Sequence, residues 1–382
     1  MRGGFMDPSP APTRFWSVDY LRGCCALSVL ASHLVVWVDF SPRWAAETAV
    51  WRVLGAAYDI FTQALWPTGA QHPGVACFFV LSGFCVHWQF VRLPGNGHPA
   101  WAAYFRRRLR RIMPVYWAAT ILGALLVWAE RTHPTGNAFL GMHTAGGWSD
   151  LLARVGGWTC VWPREVYWGN MPLTTVGAEL AIYAAYPAFF ALAASGRWKL
   201  LGALTLALQG VALALEPQVN PVVLFTGPLV MAWLWFLGAL AARLVAEGRT
   251  AVRGWWIGAA WLLFQGVKGL PRFYAQSLLK QVVFGAVCAL AILWLVEWQR
   301  RRGSEPKVWW SRFLGWTGGV SYSLYAVHTP AIFFATWLLI NSGCQNYALQ
   351  LVLATAATLA LTWAVHHGIE RQFYRGKAMA VR

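Results

Sequence analysis

The sequence is poor in charged residues. Only 12% of its 382 residues are Asp, Glu, Lys or Arg, whereas about a quarter are charged in an average soluble protein. No polar stretch is long enough to build a soluble domain, so we expect residues 1–382 to form a single domain with short tails at 1–15 and 368–382. What the chain contains instead is 58% hydrophobic residues and 26 Trp, a composition typical of membrane proteins with aromatic interfaces.

Several motifs that would indicate other protein classes are missing. The seven cysteines form no CxxC pair and no Cys/His spacing typical of a metal site, and P-loop, GxGxxG and HExxH motifs do not occur. We therefore expect no metal. The net charge of +17 raises the question of nucleic acid, but most basic residues lie in short runs between apolar segments, as in cytoplasmic loops. We expect no nucleic-acid partner.

Long apolar runs recur along the whole chain, and they predict an all-α polytopic membrane protein with about ten transmembrane helices. The segment 45–66 is also apolar, but charged residues interrupt it, and we interpret it as a helical or interfacial loop. The candidate spans are residues 16–38, 73–91, 112–130, 171–195, 199–215, 221–246, 254–270, 277–298, 313–340 and 345–367.

The distribution of Lys and Arg predicts the orientation. With the N-terminus inside, most basic residues fall on inner segments, which favours two cytoplasmic termini and an even number of spans. The protein is then a multi-pass protein of a cytoplasmic or inner membrane. The longest loop, about 131–170, lies outside in this arrangement, and its Gly, Trp and His residues suit either a lid or acceptor platform or an ordinary connecting loop.

The stretch DYLRGCCALSVLASH, residues 19–33, places three polar residues in the first predicted span. In a helix, Arg22 and His33 share one face with Asp19 near it, and Arg22 and His33 lie about 16 Å apart along the axis. Because a charge at the bilayer centre costs roughly 2.5–3.5 kcal/mol, this stripe should face the bundle interior or a wet cavity. It is either a structural Asp19–Arg22 pair with His33 bonded to another helix, or a polar path ending in a proton-accepting imidazole.

A run of arginines, FRRRLRRIMP, precedes the third predicted span. As a cluster of positive charge it fixes topology, but lysine would do that equally well. Arginine binds phosphate bidentately, and Arg108 and Arg111 lie one helical turn apart, so one helix face could grip a diphosphate. Anionic lipid headgroups are the competing ligand.

Glu179 is an acidic residue within the fourth predicted span. An unpaired carboxylate there would be costly, so it needs a partner or a role. It would either hydrogen-bond the imidazole of His33, orient an acceptor, or act as polar glue to Arg22 or a tyrosine.

The segment SYSLYAVHTP carries a polar stripe in the ninth predicted span. Tyr322, Tyr325 and His328 recur at three-residue steps, which places them along one helix face. They would line a cavity, and His328 would be a second candidate for general base, ranked below His33.

Taken in order, these motifs resemble those of the acyltransferase-3 family of membrane-bound O-acyltransferases. The resemblance covers nearly the whole chain, and several collinear matches are far more specific than any single one. The matching segments are DYLRGCCALSVLASH (19–33), GVACFFVLSGFCV (74–86), YFRRRLRRIMPVYW (104–117), LTTVGAELAIYAAYP (173–187), SYSLYAVHTP (321–330) and the tail IERQFYR (369–375).

The resemblance implies a transmembrane O-acyltransferase. It would move an acyl group from cytoplasmic acyl-CoA, with acetyl-CoA the expected donor, to a hydroxyl of a carbohydrate or lipid-linked glycan at the outer face, as in polysaccharide O-acetylation. The alternative is a transporter or flippase of a glycan or glycolipid, but a carrier tends to show paired halves and no internal repeat is visible. The predicted catalytic residues are His33 and Glu179, the donor-binding residues Arg22, Arg108 and Arg111, and the substrate-binding residues Asp19, Tyr322, Tyr325 and His328.

Overall fold

Apolar segments of membrane length form helices here, because a helix satisfies its backbone hydrogen bonds internally. The computed structural model describes residues 14–37, 53, 56, 72–91, 99–162, 166–215, 227–268, 274–344 and 346–374. Within those ranges the chain is helical and contains no strand, which confirms the predicted all-α class. Apart from positions 53 and 56, the segment 45–66 lies outside the described residues.

Eight of the ten predicted spans coincide with helices that are long and apolar enough to cross a membrane. Proline and glycine mark several of their ends. Pro228 opens one helix at its first position, where the missing N–H costs nothing. Gly196, Gly248, Gly303 and Gly343 follow the C-terminal ends of four of these helices, each with φ between +72° and +74°. The helices are α1 (Trp16–Trp37), α2 (Pro73–Val91), α3 (Trp101–Thr132), α6 (Leu173–Ala194), α8 (Pro228–Ala246), α10 (Tyr274–Arg302), α11 (Trp309–Asn341) and α12 (Tyr347–Val365).

The other two predicted spans are shorter helices. Segment 199–215 corresponds to α7 (Trp198–Leu215) and segment 254–270 to α9 (Gly254–Lys268). With 15 residues, α9 extends about 22 Å, which is less than the roughly 30 Å of a bilayer core. Within the described residues, eight helices are long and apolar enough to cross a membrane, where the sequence predicts about ten.

Although α9 is short, the directions of the helices before and after it require that it runs across the bundle. Arg300 Nη2, at the end of α10, donates to the Val245 carbonyl at the end of α8, at 3.0 Å. Gln299 Oε1 accepts from Ser17 N, at the start of α1, at 3.1 Å. Helices α8 and α10 thus both end beside the start of α1, so α9 between them runs the opposite way.

The same reasoning applies to α7. The Arg243 guanidinium, near the end of α8, lies 4.9 Å from the ring of Trp198, which follows closely on the end of α6. Since α6 and α8 end on the same side, α7 between them runs in the opposite direction.

Glycines let the central helices approach closely. A Cβ on Gly83 of α2 would lie 2.0 Å from the Trp235 carbonyl oxygen, and one on Gly238 of α8 would lie 1.9 Å from that of Val80. On the other side of α2, α1 packs on α11, where a Cβ on Gly318 would meet the Asp19 carbonyl at 2.1 Å. Small residues at such crossings are the usual device for packing membrane helices. They hold the polar faces of α1, α2 and α11 together.

The long segment between α3 and α6 differs from a simple outer loop. It contains α4 (Ala138–His143), α5 (Trp148–Gly156) and a 3₁₀ turn (Thr159–Val161). The side chain of Asn137 caps α4 by accepting from Leu140 N at 3.0 Å. Instead of staying beyond the end of α3, α5 runs back along it, and Trp117 Nε1 donates to the Val155 carbonyl at 3.2 Å.

Candidate functional site

An open cavity lies between α1, α2, α3, α6 and α11, and its empty space, counted together with the open solvent at its mouth, is about 860 Å³. Among its described lining residues, three arginines face a single carboxylate, which favours an anionic occupant. The predicted site residues on its wall are Arg22, Arg108, Arg111, Glu179, Tyr322 and Tyr325.

The helical period sorts the arginine run into two groups. Arg106, Arg107 and Arg110 are exposed, whereas Arg108 is buried and Arg111 is half-buried. Arg108 and Arg111 are the pair that the one-turn spacing singles out, and both line the cavity. The exposed members suit an aqueous or headgroup environment, so the run has two distinct faces.

Aromatic rings hold the buried Arg108. Its guanidinium carbon lies 5.6 Å from the ring centre of Tyr104 and 5.2 Å from that of Tyr183, and Nη2 lies 3.5 Å from Gln89 Oε1. Cation–π contacts of this kind stabilise a guanidinium without neutralising it. Arg108 therefore keeps its positive charge towards the cavity.

Asp19 pairs with arginines instead of lining the cavity. Its carboxylate accepts from Arg22 Nη1 at 3.2 Å and from Arg14 Nε, while Arg22 Nη2 also lies 3.1 Å from Cys85 Sγ. The Asp19–Arg22 ion pair, which the sequence analysis gave as the structural alternative, is therefore present, and the substrate contact of Asp19 stays a prediction. The carboxylate positions the Arg22 side chain, and Arg22 faces the cavity.

Glu179 also differs from its expected contact. Its Oε1 accepts hydrogen bonds from Ser82 Oγ, at 2.7 Å, and from the hydroxyl of Tyr183. The imidazole of His33 is bonded elsewhere, so the predicted Glu179–His33 contact does not form. Two hydroxyl donors satisfy the carboxylate on the cavity wall, which is how a membrane helix accommodates an acid without an ion pair.

Tyr322 and Tyr325 expose their rings to the cavity and anchor their hydroxyls elsewhere. The Tyr322 hydroxyl donates to the Ile112 carbonyl at 2.8 Å. The Tyr325 hydroxyl lies 2.7 Å from Thr175 Oγ1 and 3.2 Å from the Pro172 carbonyl. Because each hydroxyl is engaged by α3 or α6, these residues shape the wall by their ring faces.

The two histidines of the predicted site contact each other directly. His33 Nδ1 lies 2.7 Å from His328 Nε2, and the two rings stack with centres 5.0 Å apart and an angle of 12° between their planes. We call this pair the histidine dyad. The two residues are 295 positions apart in the sequence, and the sequence analysis did not predict that they meet.

Backbone carbonyls determine which nitrogens of the dyad carry protons. His328 Nδ1 lies 2.7 Å from the Tyr325 carbonyl and 3.2 Å from that of Leu324. A carbonyl only accepts, so His328 Nδ1 carries a proton, and in the neutral ring its Nε2 is an acceptor. The proton between the rings therefore belongs to His33 Nδ1. In neutral His33 the lone pair is then on Nε2, which is the nitrogen a general base needs.

The dyad lies just beyond one end of the cavity. Neither imidazole belongs to the described lining residues, but Tyr325 does, and its ring centre is 5.7 Å from that of His328. His328 is three residues from Tyr325, which is about 4.5 Å along α11. Arg22 faces the cavity, as the sequence analysis expected. His33 lies at the opposite end, because it contacts His328, which is one helical turn beyond the lining residue Tyr325 on α11.

Two further histidines near the dyad were missed by the sequence analysis. His72 accepts from Gly74 N at 2.9 Å through Nδ1 and lies 2.6 Å from Ser32 Oγ through Nε2, and its ring centre is 6.3 Å from that of His33. His143 donates to the Phe139 carbonyl at 2.9 Å, and burial lowers its pKa, which favours the neutral ring. Each is an isolated histidine at the edge of a helix, a pattern that carries no functional signal.

The fold and the site together define a polytopic membrane protein with a cationic cavity that ends beside a pair of histidines. The family described as "Acyltransferase domain", the acyltransferase-3 family, matches residues 15–367. The chain belongs to this family, which confirms the resemblance of its motifs and makes it a multi-pass membrane acyltransferase. No curated protein and no solved structure matches the chain.

Proposed function

We propose that the protein transfers an acyl group, with acetyl the expected one, from acyl-CoA on the cytoplasmic side to a hydroxyl of a carbohydrate or glycosylated acceptor on the outer side. One observation supports this most strongly. A single cavity has three arginines on its wall and a histidine dyad with a defined proton arrangement beyond its far end. In this arrangement, an anionic donor bound at the arginines lies in the same cavity that ends beside the general base.

In this proposal the arginines hold the phosphates of the donor. Arg22, Arg108 and Arg111 are the basic residues on the cavity wall, and guanidinium groups form strong, charge-assisted bonds with phosphate. Arg22 and His33 are eleven residues apart on one helix, or about 16 Å along its axis. A donor with a long, narrow arm suits that separation, because its charged end can stay at the arginines while its thioester reaches the dyad.

Glu179 then contacts the donor arm and takes no part in the chemistry. An ionised carboxylate only accepts hydrogen bonds, and Glu179, which lines the cavity, can accept more of them than the two from Ser82 and Tyr183. The arm of acyl-CoA contains amide N–H groups that would donate to it. The role proposed for Glu179 is therefore binding of the donor arm.

The transfer itself uses the lone pair of His33 Nε2. His33 removes the proton of the acceptor hydroxyl as its oxygen attacks the thioester carbonyl carbon. The new carbon–oxygen bond forms, the carbon–sulfur bond breaks, and the proton passes from the imidazole to the departing sulfur, giving an ester and free CoA thiol. His328 acts as a positioning residue, because it accepts from His33 Nδ1 and so keeps the lone pair on Nε2.

A reconstitution assay with matched arginine variants tests the proposal. Purified protein in vesicles is given labelled acetyl-CoA and candidate glycans, and donor binding and transfer are measured separately. His33→Ala should lower the transfer rate by about 10²–10⁴-fold, the usual contribution of a general base, and leave donor binding intact. Arg108→Ala and Arg111→Ala should weaken donor binding, whereas the exposed control variants Arg107→Ala and Arg110→Ala should not.

Two results would count against this function. Equal loss of donor binding in the cavity-lining and exposed arginine variants would mean that the run acts only through its overall charge, for example on anionic lipids. Movement of an unmodified glycan by the His33→Ala protein would instead favour the transporter.

A further inference from the structure

The end of α5 contacts α3 deep within the apolar part of that helix. The uncharged run of α3 extends from Ile112 to Ala129, between Arg111 and Glu130, and is about 27 Å long. At its outer end, Arg131 Nη2 donates to the Gly146 carbonyl at 2.7 Å. Nearer its inner end, Trp117 Nε1 donates to the Val155 carbonyl at 3.2 Å. Trp117 lies about 18 Å below Ala129 along the helix.

The chain then returns along the same helix. A Cβ on Gly123 of α3 would lie 2.6 Å from the Trp168 carbonyl oxygen, and Gly169 N donates to the His143 carbonyl at 2.8 Å. Residues 146–156 therefore descend beside α3, and Trp162 Nε1 then donates to Asp150, near the start of α5, at 3.0 Å. The chain has thus turned back by residue 162, which is the geometry of a re-entrant segment. We call residues 146–162 the re-entrant segment.

Two charged side chains of the segment, Asp150 and Arg154, are buried and form hydrogen bonds within the segment and with the residues that follow it. Asp150 accepts from Gly147 N at 2.9 Å and from Trp162 Nε1 at 3.0 Å. Arg154 is 1% exposed and donates to the Val166 carbonyl. Irregular backbone at membrane depth is tolerated where protein buries it, and these contacts provide that burial.

The opposite face of α5 is apolar and exposed. Trp148, Leu152 and Val155 recur at helical spacing and are 78%, 69% and 45% exposed. Trp158 and Val161 continue the same surface beyond the helix. An exposed apolar patch of this kind marks a surface that another apolar phase or molecule covers. The position of the patch relative to α3 indicates what covers it.

The apolar face of α5 is continuous with the lipid-facing side of α3. Trp117, Ile121, Leu125 and Trp128 repeat every three or four residues along α3 and are all exposed, as expected of a membrane helix with one side in hydrocarbon. The Trp117–Val155 hydrogen bond joins the two surfaces at their inner end.

From this continuity we infer that the re-entrant segment enters the outer leaflet beside α3, with the face formed by Trp148, Leu152 and Val155 in contact with lipid acyl chains. The segment is then a membrane-embedded wall of the bundle. The sequence analysis expected the whole of residues 131–170 to lie outside the membrane, and this inference departs from that expectation for residues 146–162.

Depth-resolved quenching tests this inference directly. A fluorescent amino acid is placed singly at position 148, 152, 155 or 161, and at the exposed Ala138 of α4 as the matched control. Each protein is reconstituted in phosphatidylcholine vesicles whose chains carry a nitroxide near the headgroup or near the chain end. Variants are used only if they elute as a single species with the wild-type profile.

The inference predicts a gradient along α5. Shallow nitroxides should quench position 148 most, deep ones should quench position 155 most, and position 138 should be quenched severalfold less than any of them. The same shallow quenching at 148 and 155 would mean that α5 lies flat on the surface and would overturn the re-entrant geometry. Absence of quenching at both 152 and 161 would overturn the lipid contact and indicate cover by protein, such as a second copy of the chain.

Discussion

At the scale of single residues, the protonation of the histidine dyad is the feature on which the chemistry depends. Two backbone carbonyls, those of Tyr325 and Leu324, hold the proton of His328 on Nδ1. His328 Nε2 is then an acceptor for the proton on His33 Nδ1. The lone pair of the neutral His33 imidazole is therefore on its Nε2. In hydrolytic triads a carboxylate orients the base in this way, and here a second histidine occupies that position.

Substitution of His328 should therefore impair turnover more than donor binding. His328→Phe keeps a ring but removes the acceptor, so kcat should fall at least tenfold while the KM for donor stays within twofold. His328→Gln restores an acceptor oxygen and should recover part of the lost rate. Steady-state kinetics in vesicles measure both. A rise in KM at constant kcat would show that His328 binds substrate, as the sequence first indicated.

A substitution of Glu179 also distinguishes an effect on donor binding from an effect on catalysis. Glu179→Gln retains an acceptor for Ser82 and Tyr183 but removes the charge. Since a hydrogen bond to a charged group contributes about 1.5–3 kcal/mol, the KM for donor should rise about tenfold or more with kcat little changed. A collapse of kcat at constant KM would restore the catalytic role that the sequence motif predicts.

At the scale of helices, close backbone contacts determine where the polar side chains meet. Gly238 of α8 packs on Val80 and Gly83 packs on Trp235, which holds α2 in the position where Ser82 reaches Glu179. On the other side, Gly318 lets α11 approach α1 at Asp19. The sequence does not show which helices these glycines contact, because the partners are set by tertiary packing.

Gly238→Ala should destabilise the bundle. Its Cβ would lie 1.9 Å from the Val80 carbonyl oxygen, so α2 and α8 must separate, and overpacking of this kind costs about 1–3 kcal/mol. Gly210→Ala in α7 is the matched control, because a Cβ there meets nothing within 4 Å. Thermal unfolding in detergent should show a lower Tm for Gly238→Ala and an unchanged or slightly higher Tm for Gly210→Ala. Equal Tm values would refute the close packing.

At the scale of the whole molecule, properties that depend on local pattern were predictable and long-range contacts were not. Hydropathy predicts the helices, and the one-turn spacing of Arg108 and Arg111 predicts that they share a face, because both follow from helix geometry. The His33–His328 contact joins residues 295 positions apart, and only tertiary packing creates it. The depth of α5 was also hidden, since an amphipathic surface helix and a re-entrant one have the same local pattern.

The whole-molecule claim is that the acyl group crosses the membrane within the protein, from the arginines of the cavity to the dyad. The most direct measurement uses sealed vesicles of uniform protein orientation, with labelled acetyl-CoA confined to the side of the arginine run and a membrane-impermeant glycan confined to the other. The account predicts labelled glycan on the far side, formed by the wild type and not by His33→Ala. Product that forms only when donor and acceptor share one side would contradict it.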